Sequence, residues 1–134
     1  QQFPVTAAIV ITTPQDLALI DAKKGVVMFN KVNVPVLGVV ENMSYHICTN
    51  CCHHEAIFGE GGAKRMAKEQ GIELLGLLPL ATDIRADIDA GMPTVIAKPD
   101  GEHAKRYIEL AEKVASQLYW QGEAMQEQIA IQVV

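Results

Sequence analysis

The sequence predicts an α/β fold in which a parallel sheet is flanked by helices. Two observations support this prediction: three short apolar runs lie at residues 7–11, 36–40 and 74–78, and segments with helix signals separate them. A strand–helix–strand–helix–strand order implies right-handed crossovers, which place the strands parallel in one sheet. We therefore expect one α/β domain over residues 1–121, followed by a tail over residues 122–134.

The first apolar run is rich in β-branched residues and shows no alternation, as expected for a strand that is covered on both faces. The second run has the same character. The third consists mainly of leucine, which also suits a helix, but Gly71 before it and Pro79 after it limit its length. In the tail, Ile129, Ile131 and Val133 alternate and could pair as an edge strand.

The first helix should follow the first strand directly. Thr13 suits an N-cap, Pro14 the first helical position and Asp16 the first turn. The helix should run to about Lys31 and bury one apolar face. We expect that face to contain Leu17, Ile20, Val27 and Met28.

Three further helices are predicted, at residues 61–70, 84–90 and 102–120. The first should end at Gly71 as a C′ glycine, and the second should close at Gly91 and Pro93. In the third, apolar residues recur at helical spacing and predict the buried face. These residues are Tyr107, Ile108, Ala111, Val114, Ala115 and Leu118.

Ligands of open parallel sheets bind at the carboxyl ends of the strands. Here those ends are Thr12–Thr13, Glu41–Asn42 and Pro79–Leu80, so we expect the functional site there. The amide of Asn42 could bind the donor and acceptor edge of a purine. For a lone asparagine, however, a turn cap is the simpler interpretation.

The glycine-rich segment at residues 59–64 could be mistaken for a phosphate loop. It lacks the Gly-Lys-Ser/Thr ending that places a lysine on the phosphates and a hydroxyl on magnesium. We interpret it as the segment that leads into a helix. No Walker A motif occurs in the 134 residues.

The charge balance argues against two classes of partner. Sixteen acidic and eleven basic residues give a formal net charge of −5, whereas a nucleic-acid surface needs clustered cations. The same balance gives no support for binding to anionic membranes, and no apolar run is long enough to span a bilayer. Three cysteines within five residues do not resemble a disulfide framework, and we expect a cytoplasmic protein.

The cysteine cluster carries the strongest local signal. Cys48 and Cys51 form a C-x-x-C pair, whose thiolates can reach one metal ion and would select zinc, copper(I) or an iron–sulfur cluster. Four ligands are usual, so the missing two come either from His53 and His54 or from a second copy of the chain. Unligated loop thiols and a thioredoxin-like redox pair are the alternatives.

Four stretches, read in order, resemble the Mrp/ApbC group of P-loop ATPases, which are similar in fold to MinD and nitrogenase iron protein. They are residues 12–25, residues 33–48, the C-x-x-C with the segment up to residue 63, and residues 74–93. The combination of VVENMSY, C-x-x-C and IFGEGGA is specific to that group. The match spans about residues 4–118 and implies the C-terminal half of a P-loop NTPase fold.

The resemblance implies iron–sulfur cluster assembly, in which members bind a cluster and pass it to apo acceptor proteins with ATP hydrolysis. It implies a homodimer whose C-x-x-C loops bridge a [4Fe–4S] cluster, with Cys48 and Cys51 as the matching ligands. Asn42 matches the asparagine that recognises adenine, and Pro79–Leu80 matches the turn that lies against the base. ATP and Mg²⁺ would act in the full-length protein.

Two departures from the family pattern qualify these expectations. The phosphate loop and the aspartate-bearing segment that follows it in the family have no counterpart here. We therefore expect that this chain alone does not hydrolyse ATP. We also expect an uncovered sheet edge, which should favour self-association. Cys52 stands where the family usually has glycine. The alternative function is a zinc-binding structural or interaction domain without a nucleotide role, in which Cys48, Cys51 and histidines hold one ion.

Overall fold

The computed structural model describes the backbone of residues 5–126 and the side chains of residues 5–120. The strands are β1 (Ala8–Thr12), β2 (Val36–Glu41), β3 (His46–Ile47), β4 (His54–Glu55) and β5 (Glu73–Leu77). The helices are α1 (Asp16–Lys31), α2 (Gly62–Gln70), α3 (Thr82–Asp89), α4 (Thr94–Ala97) and α5 (Glu102–Gln126). The possible edge strand at Ile129, Ile131 and Val133 lies outside the described residues.

The three predicted strands form one parallel sheet in the order β1-β2-β5, which confirms the predicted fold class. Helices α1 and α2 pack on one face of the sheet, where Val10 and Val39 join the core. Helix α5 packs on the other face, against Leu37, Val40 and Leu75. Strands β3 and β4 form a separate antiparallel hairpin, which the sequence patterns do not predict.

Burial matches the prediction for β2 but not for β1. Five of the six residues of β2 are buried, because helices cover both of its faces. Strand β1 alternates instead, and Ile9 and Ile11 are exposed, Ile11 to 66%. Helix α5 contacts β2 and β5 and leaves this face of β1 uncovered within residues 5–126. The expectation that β1 is covered on both faces is therefore wrong for the described structure.

Helix α1 begins later than predicted and buries a different face. Its N-cap is Gln15, with no side-chain cap bond, and the hydroxyl of Thr13 donates to the Gln15 side chain instead (2.6 Å). The buried face consists of Leu19, Ala22 and Val26. The predicted face is exposed, so that prediction is wrong: Leu17, Ile20, Val27 and Met28 are 77%, 51%, 44% and 53% exposed.

The physical reason is that α1 carries two apolar stripes at helical spacing. The stripe with Ala22 at its centre lets the helix approach the sheet closely, and it meets Val10, Val39 and α2. Spacing alone could not choose between the two stripes, because both satisfy the helical period.

Helices α2, α3 and α5 agree with prediction in position more than in face, whereas the short helix α4 was not predicted. Gly71 ends α2 with φ 65°, the left-handed conformation that a C′ glycine supplies. Helix α5 runs to Gln126, six residues beyond the predicted end. Tyr107 and Val114 face the sheet as predicted, together with Leu110. The other predicted members, Ile108, Ala111, Ala115 and Leu118, are exposed. No helix in the described part of the chain is long and apolar enough to cross a bilayer.

Two glycines offer a matched test of this packing. A Cβ on Gly38 would collide with the carbonyl oxygen of Glu73 and lie 2.7 Å from Cγ of Leu75. A Cβ on Gly25, within α1, would meet nothing within 4 Å. We expect Gly38→Ala to lower the free energy of unfolding by about 1–3 kcal/mol through overpacking. Gly25→Ala should raise it by up to about 1 kcal/mol through helix propensity.

Urea unfolding of both variants beside the parent chain measures the two changes. Equal stability of the Gly38→Ala variant and the parent would contradict the close approach of β2 and β5.

Candidate metal and nucleotide site

The carboxyl ends of the strands come together, as expected for a parallel sheet. The backbone N–H of Asn42 donates to the carbonyl of Thr12 (2.7 Å), and that of Leu78 donates to the carbonyl of Glu41 (2.8 Å). These bonds continue the sheet beyond the regular strands. All three predicted strand ends therefore lie along one edge of the molecule.

Glu41, the last residue of β2, holds this edge together. Its side chain is 1% exposed, and its two oxygens accept from the hydroxyl of Ser44 (2.6 Å) and the N–H of Ala63 (2.7 Å). Ala63 lies in the first turn of α2, which has no acidic residue of its own. A carboxylate there satisfies an N–H that lacks a helical partner and complements the helix dipole. From the sequence, Glu41 is predicted only as a strand end, and no local pattern indicates this role.

The predicted nucleotide-binding residues share one pocket. Asn42, Pro79 and Leu80 line a cavity of about 490 Å³ beside α3 and α5. The other apolar walls include Ile84 and Tyr107. Burial raises the pKa of the Tyr107 phenol, so this wall stays uncharged at neutral pH. An apolar cavity with a few polar groups suits a flat heteroaromatic ligand.

Asn42 lies in a turn and lines this pocket. Its Oδ1 accepts from the N–H of Met43 (2.9 Å), and Met43 has a positive φ of 56°. The amide N–H groups and one oxygen lone pair remain for a ligand. The bond to Met43 therefore leaves most of the Asn42 amide available, and ligand binding by Asn42 stays a prediction.

The C-x-x-C pair lies in the loop of the β3–β4 hairpin. The N–H of Cys48 donates to the carbonyl of His53 (2.9 Å), and the N–H of Cys52 donates to the carbonyl of Cys48 (2.9 Å). Cys48 is half-buried, whereas Cys51 and Cys52 are exposed. The backbone N–H of Asn50, then that of Cys51 and then the Cys51 side chain bond to the Cys48 sulfur and lower its pKa. The loop thus favours the thiolate, the form that binds metals.

Cys52 occupies a backbone position that suits glycine. Its φ is 57°, in the left-handed region that costs a residue with a Cβ roughly 1–2 kcal/mol. This strain gives a physical reason for the glycine that the resemblance places there.

The thiol loop and the cavity beside Asn42 share a wall. A second cavity, of about 350 Å³, is lined by Cys48 and Cys52 on one side and by Asp83 and His103 on the other. It shares several residues with the first cavity: His46, Pro79, Leu80, Ala81 and Thr82. Across that wall, Nδ1 of His46 donates to the carbonyl of Leu80 (2.9 Å).

Donor counting within one chain gives an incomplete metal site. Among the described residues, no three His, Cys, Asp or Glu side chains come together as a group that could hold a metal ion. Cys48 and Cys51 offer two thiolates. His54 stacks on Tyr45, with the ring centroids 5.7 Å apart. The arrangement in which His53 and His54 complete a site within one chain has no support in this geometry.

The glycine-rich segment behaves as predicted. Gly61 is the N-cap of α2 in the left-handed conformation, with φ 69°, and the helix begins at Gly62. The helix is capped by the Glu41 carboxylate, which is consistent with the interpretation of residues 59–64 as the approach to a helix.

A family model described as the NUBPL iron-transfer P-loop NTPase matches residues 1–115. The "Iron-sulfur cluster carrier protein" of Salmonella typhimurium is 59% identical over all 134 residues, which cover 36% of that protein. The "Iron-sulfur cluster transfer protein NUBPL" of Mus musculus is 45% identical over 118 residues, 88% of this chain and 37% of that protein. The chain thus spans about a third of the length of these curated relatives.

Solved structures show the same fold. The cell division ATPase MinD of Pyrococcus furiosus matches with a TM-score of 0.66 at 23% identity, over 83% of this chain and 43% of that one. A nucleotide-binding protein of Archaeoglobus fulgidus, solved in complex with ADP, matches with a TM-score of 0.58 at 30% identity. That match covers 72% of this chain and 39% of the other.

The Glu41 contacts predict a large and specific loss of stability. Glu41→Ala leaves the Ser44 hydroxyl and the Ala63 N–H without acceptors, and we expect a loss of about 2–5 kcal/mol in the free energy of unfolding. Glu41→Gln keeps an acceptor for one donor and should lose about 1–2 kcal/mol. Glu69→Gln, which removes an exposed ion pair with Lys23, is the control and should lose at most about 1 kcal/mol.

Chemical denaturation distinguishes these cases. If Glu41→Gln and Glu69→Gln cost the same, the buried carboxylate does not have the role assigned to it.

The lowered pKa of Cys48 predicts its reactivity. Because the thiolate is the nucleophile, Cys48 in the folded chain should react with iodoacetamide at lower pH than Cys48 in the urea-unfolded chain. Mass spectrometry of the alkylated peptide at a series of pH values measures the midpoint. The same midpoint in the folded and unfolded chains would contradict the bonding of the loop N–H groups to sulfur.

Proposed function

The chain belongs to the family of NUBPL iron-transfer P-loop NTPases, and we propose that it holds an iron–sulfur cluster through Cys48 and Cys51 and passes it to apo acceptor proteins. The observation that carries the proposal is the C-x-x-C pair on an exposed hairpin, in which Cys48 is half-buried and Cys51 is exposed. The relatives named iron-sulfur cluster carrier protein support cluster transfer. The cluster is the cargo.

We propose a [4Fe–4S] cluster bridged between two copies of the chain. Such a cluster takes four thiolates, and one chain offers two from Cys48 and Cys51. A two-fold axis through the exposed loops would bring two pairs together as a homodimer. The donor count within the described part of one chain supports this arrangement over one zinc ion per monomer.

Exposure of the loop also suits transfer. Residues 49–57 are exposed, so a bound cluster would lie at the surface, where an acceptor protein can reach it. Reduced thiols are needed for cluster loading, and we place the activity in the cytoplasm, where thiols remain reduced.

We further propose that the pocket beside the thiol loop binds the base of ATP. Asn42 would bond the base edge, and Pro79 and Leu80 would lie against its face. The ADP complex of the Archaeoglobus fulgidus protein, at 30% identity, supports a nucleotide at this fold. Hydrolysis needs phosphate and Mg²⁺ contacts that a Walker A segment supplies in this class of enzyme, and these 134 residues contain none. We therefore propose that this chain contributes the binding of the base and not the hydrolysis of ATP.

Serine substitutions test the thiol assignment. Cys48→Ser or Cys51→Ser should abolish iron and sulfide loading after anaerobic reconstitution and weaken the dimer, because each removes two of the four thiolates of the bridged cluster. Cys52→Ser, the matched control, should leave most of both. Iron and sulfide analysis, visible absorbance and light scattering measure the outcome.

Three results would count against the proposal. Equal effects of all three substitutions would mean that no specific pair binds the cluster. If Cys52→Ser caused the largest loss of iron and sulfide, the pair of ligands would be wrongly assigned. A colourless protein with one zinc ion per monomer would favour the zinc-binding alternative.

A further inference from the structure

The hairpin that carries the thiols is too short to be stable through its own strands. Strands β3 and β4 have two residues each and pair at His46–Glu55 and Ile47–His54. An isolated two-stranded hairpin is marginal in water even when it is longer than this one. The thiol loop between the strands therefore needs an anchor elsewhere in the molecule.

Tyr45 supplies contacts to both ends of the loop. It precedes β3 directly, and its ring stacks on the imidazole of His54 at an interplanar angle of 15°. His54 opens β4, just after the loop ends. One aromatic contact thus joins the chain segments that enter and leave the cysteine loop.

Tyr45 also joins the hairpin to the main body of the fold. The guanidinium carbon of Arg106 lies 5.6 Å from the centroid of the Tyr45 ring, within the range of a cation–π contact. Arg106 lies on α5, whose next residue, Tyr107, packs on the sheet. The backbone also ties the hairpin to the strand edge, since the N–H of Leu80 donates to the carbonyl of Tyr45 (2.7 Å). The Arg106 contact adds a connection from the hairpin to the long helix and through it to the core.

The ring of Tyr45, and not its hydroxyl, makes these contacts. The hydroxyl is buried and has no hydrogen-bond partner among the described residues. A buried unbonded hydroxyl is unfavourable. Its loss should therefore cost nothing, whereas loss of the ring should release the loop.

We propose that Arg106, Tyr45 and His54 form a stack that positions Cys48 and Cys51 for metal binding. Tyr45 and Arg106 are positioning residues, since they act on the thiols through the hairpin. The metal-binding part of this inference rests on the proposed function. The ordering of the loop does not, because it follows from the contacts alone.

Four variants of the full chain test the stack. Tyr45→Phe keeps the ring and Tyr45→Leu removes it. Arg106→Met removes the planar cation and keeps an extended side chain. Lys105→Met is the matched control, because Lys105 is the neighbouring cation on α5 and pairs only with the exposed Glu102 among the described residues.

Hydrogen exchange reports on the loop whether or not a cluster binds. The N–H groups of Cys48 and Cys52 are bonded inside the loop, so their exchange measures its order. We expect exchange about tenfold faster in Tyr45→Leu and Arg106→Met, as the aromatic and cation–π contacts are lost. Tyr45→Phe and Lys105→Met should match the parent chain.

Co²⁺ titration, followed by the thiolate charge-transfer band, gives the second readout. Tyr45→Leu and Arg106→Met should bind Co²⁺ about 10-fold more weakly, the effect typical of residues that orient metal ligands. Tyr45→Phe should restore parent affinity, which a role of the hydroxyl would not allow. Urea unfolding of each variant distinguishes loss of loop order from loss of the fold. If Tyr45→Leu fails to fold, Arg106→Met alone tests whether the stack orders the loop.

The outcomes separate the two proposals. Unchanged exchange and Co²⁺ affinity in Arg106→Met and Tyr45→Leu would overturn the stack, as would equal losses in Arg106→Met and Lys105→Met. If the parent chain takes up neither Co²⁺ nor an iron–sulfur cluster, the proposed function fails. The exchange measurement then still decides whether the stack orders the loop.

Discussion

The buried carboxylate of Glu41 is the constraint on which the rest of the site depends. A carboxylate removed from water is costly unless its oxygens are bonded, and here they accept from Ser44 and Ala63. Ser44 and Ala63 are separated by 18 intervening residues, which include the thiol hairpin. The Glu41 side chain therefore bonds to both ends of the segment that carries the hairpin. The central strand, the hairpin and helix α2 are thereby joined at a single buried point.

The two pockets form one structural unit around this point. The chain leaves Glu41, passes Asn42 in the proposed base pocket and reaches Cys48 within seven residues. The residues that line both cavities include His46 and Leu80, and Nδ1 of His46 donates to the Leu80 carbonyl. The proposed base site and the proposed thiol site therefore share backbone, and neither can be displaced far without moving the other.

The thiol loop differs from the rest of the site in how it is held. The proposed base pocket is built on strand ends and includes the buried Ile84, whereas residues 49–57 are exposed. Exposure is consistent with the proposed roles of the loop, which are contact with a second chain and transfer of a cluster. It also means that the loop lacks the apolar burial that orders the core, so a few contacts, such as the ring of Tyr45, carry a large share of its order.

The sequence by itself determined the parallel α/β fold, because β-branched runs, glycine stops and helix signals act over a few residues. It also identified Cys48, Cys51, Asn42, Pro79 and Leu80 as candidates, since spacing and a specific family resemblance lie in the chain itself. The structure places Asn42, Pro79 and Leu80 along one pocket, and the ligand assignments remain predictions.

Only the tertiary structure decided which faces are buried and how the site is held. The two apolar stripes of α1 satisfy the same helical period. Contact with the sheet buries the stripe of Leu19, Ala22 and Val26 and leaves the other stripe exposed. Glu41 contacts Ala63, 22 residues further along the chain, and Arg106 contacts Tyr45, 61 residues earlier. Local sequence patterns do not predict contacts over such separations. Burial and long-range contact arise only when the elements pack together, and so the residues that position this site were visible only in the folded chain.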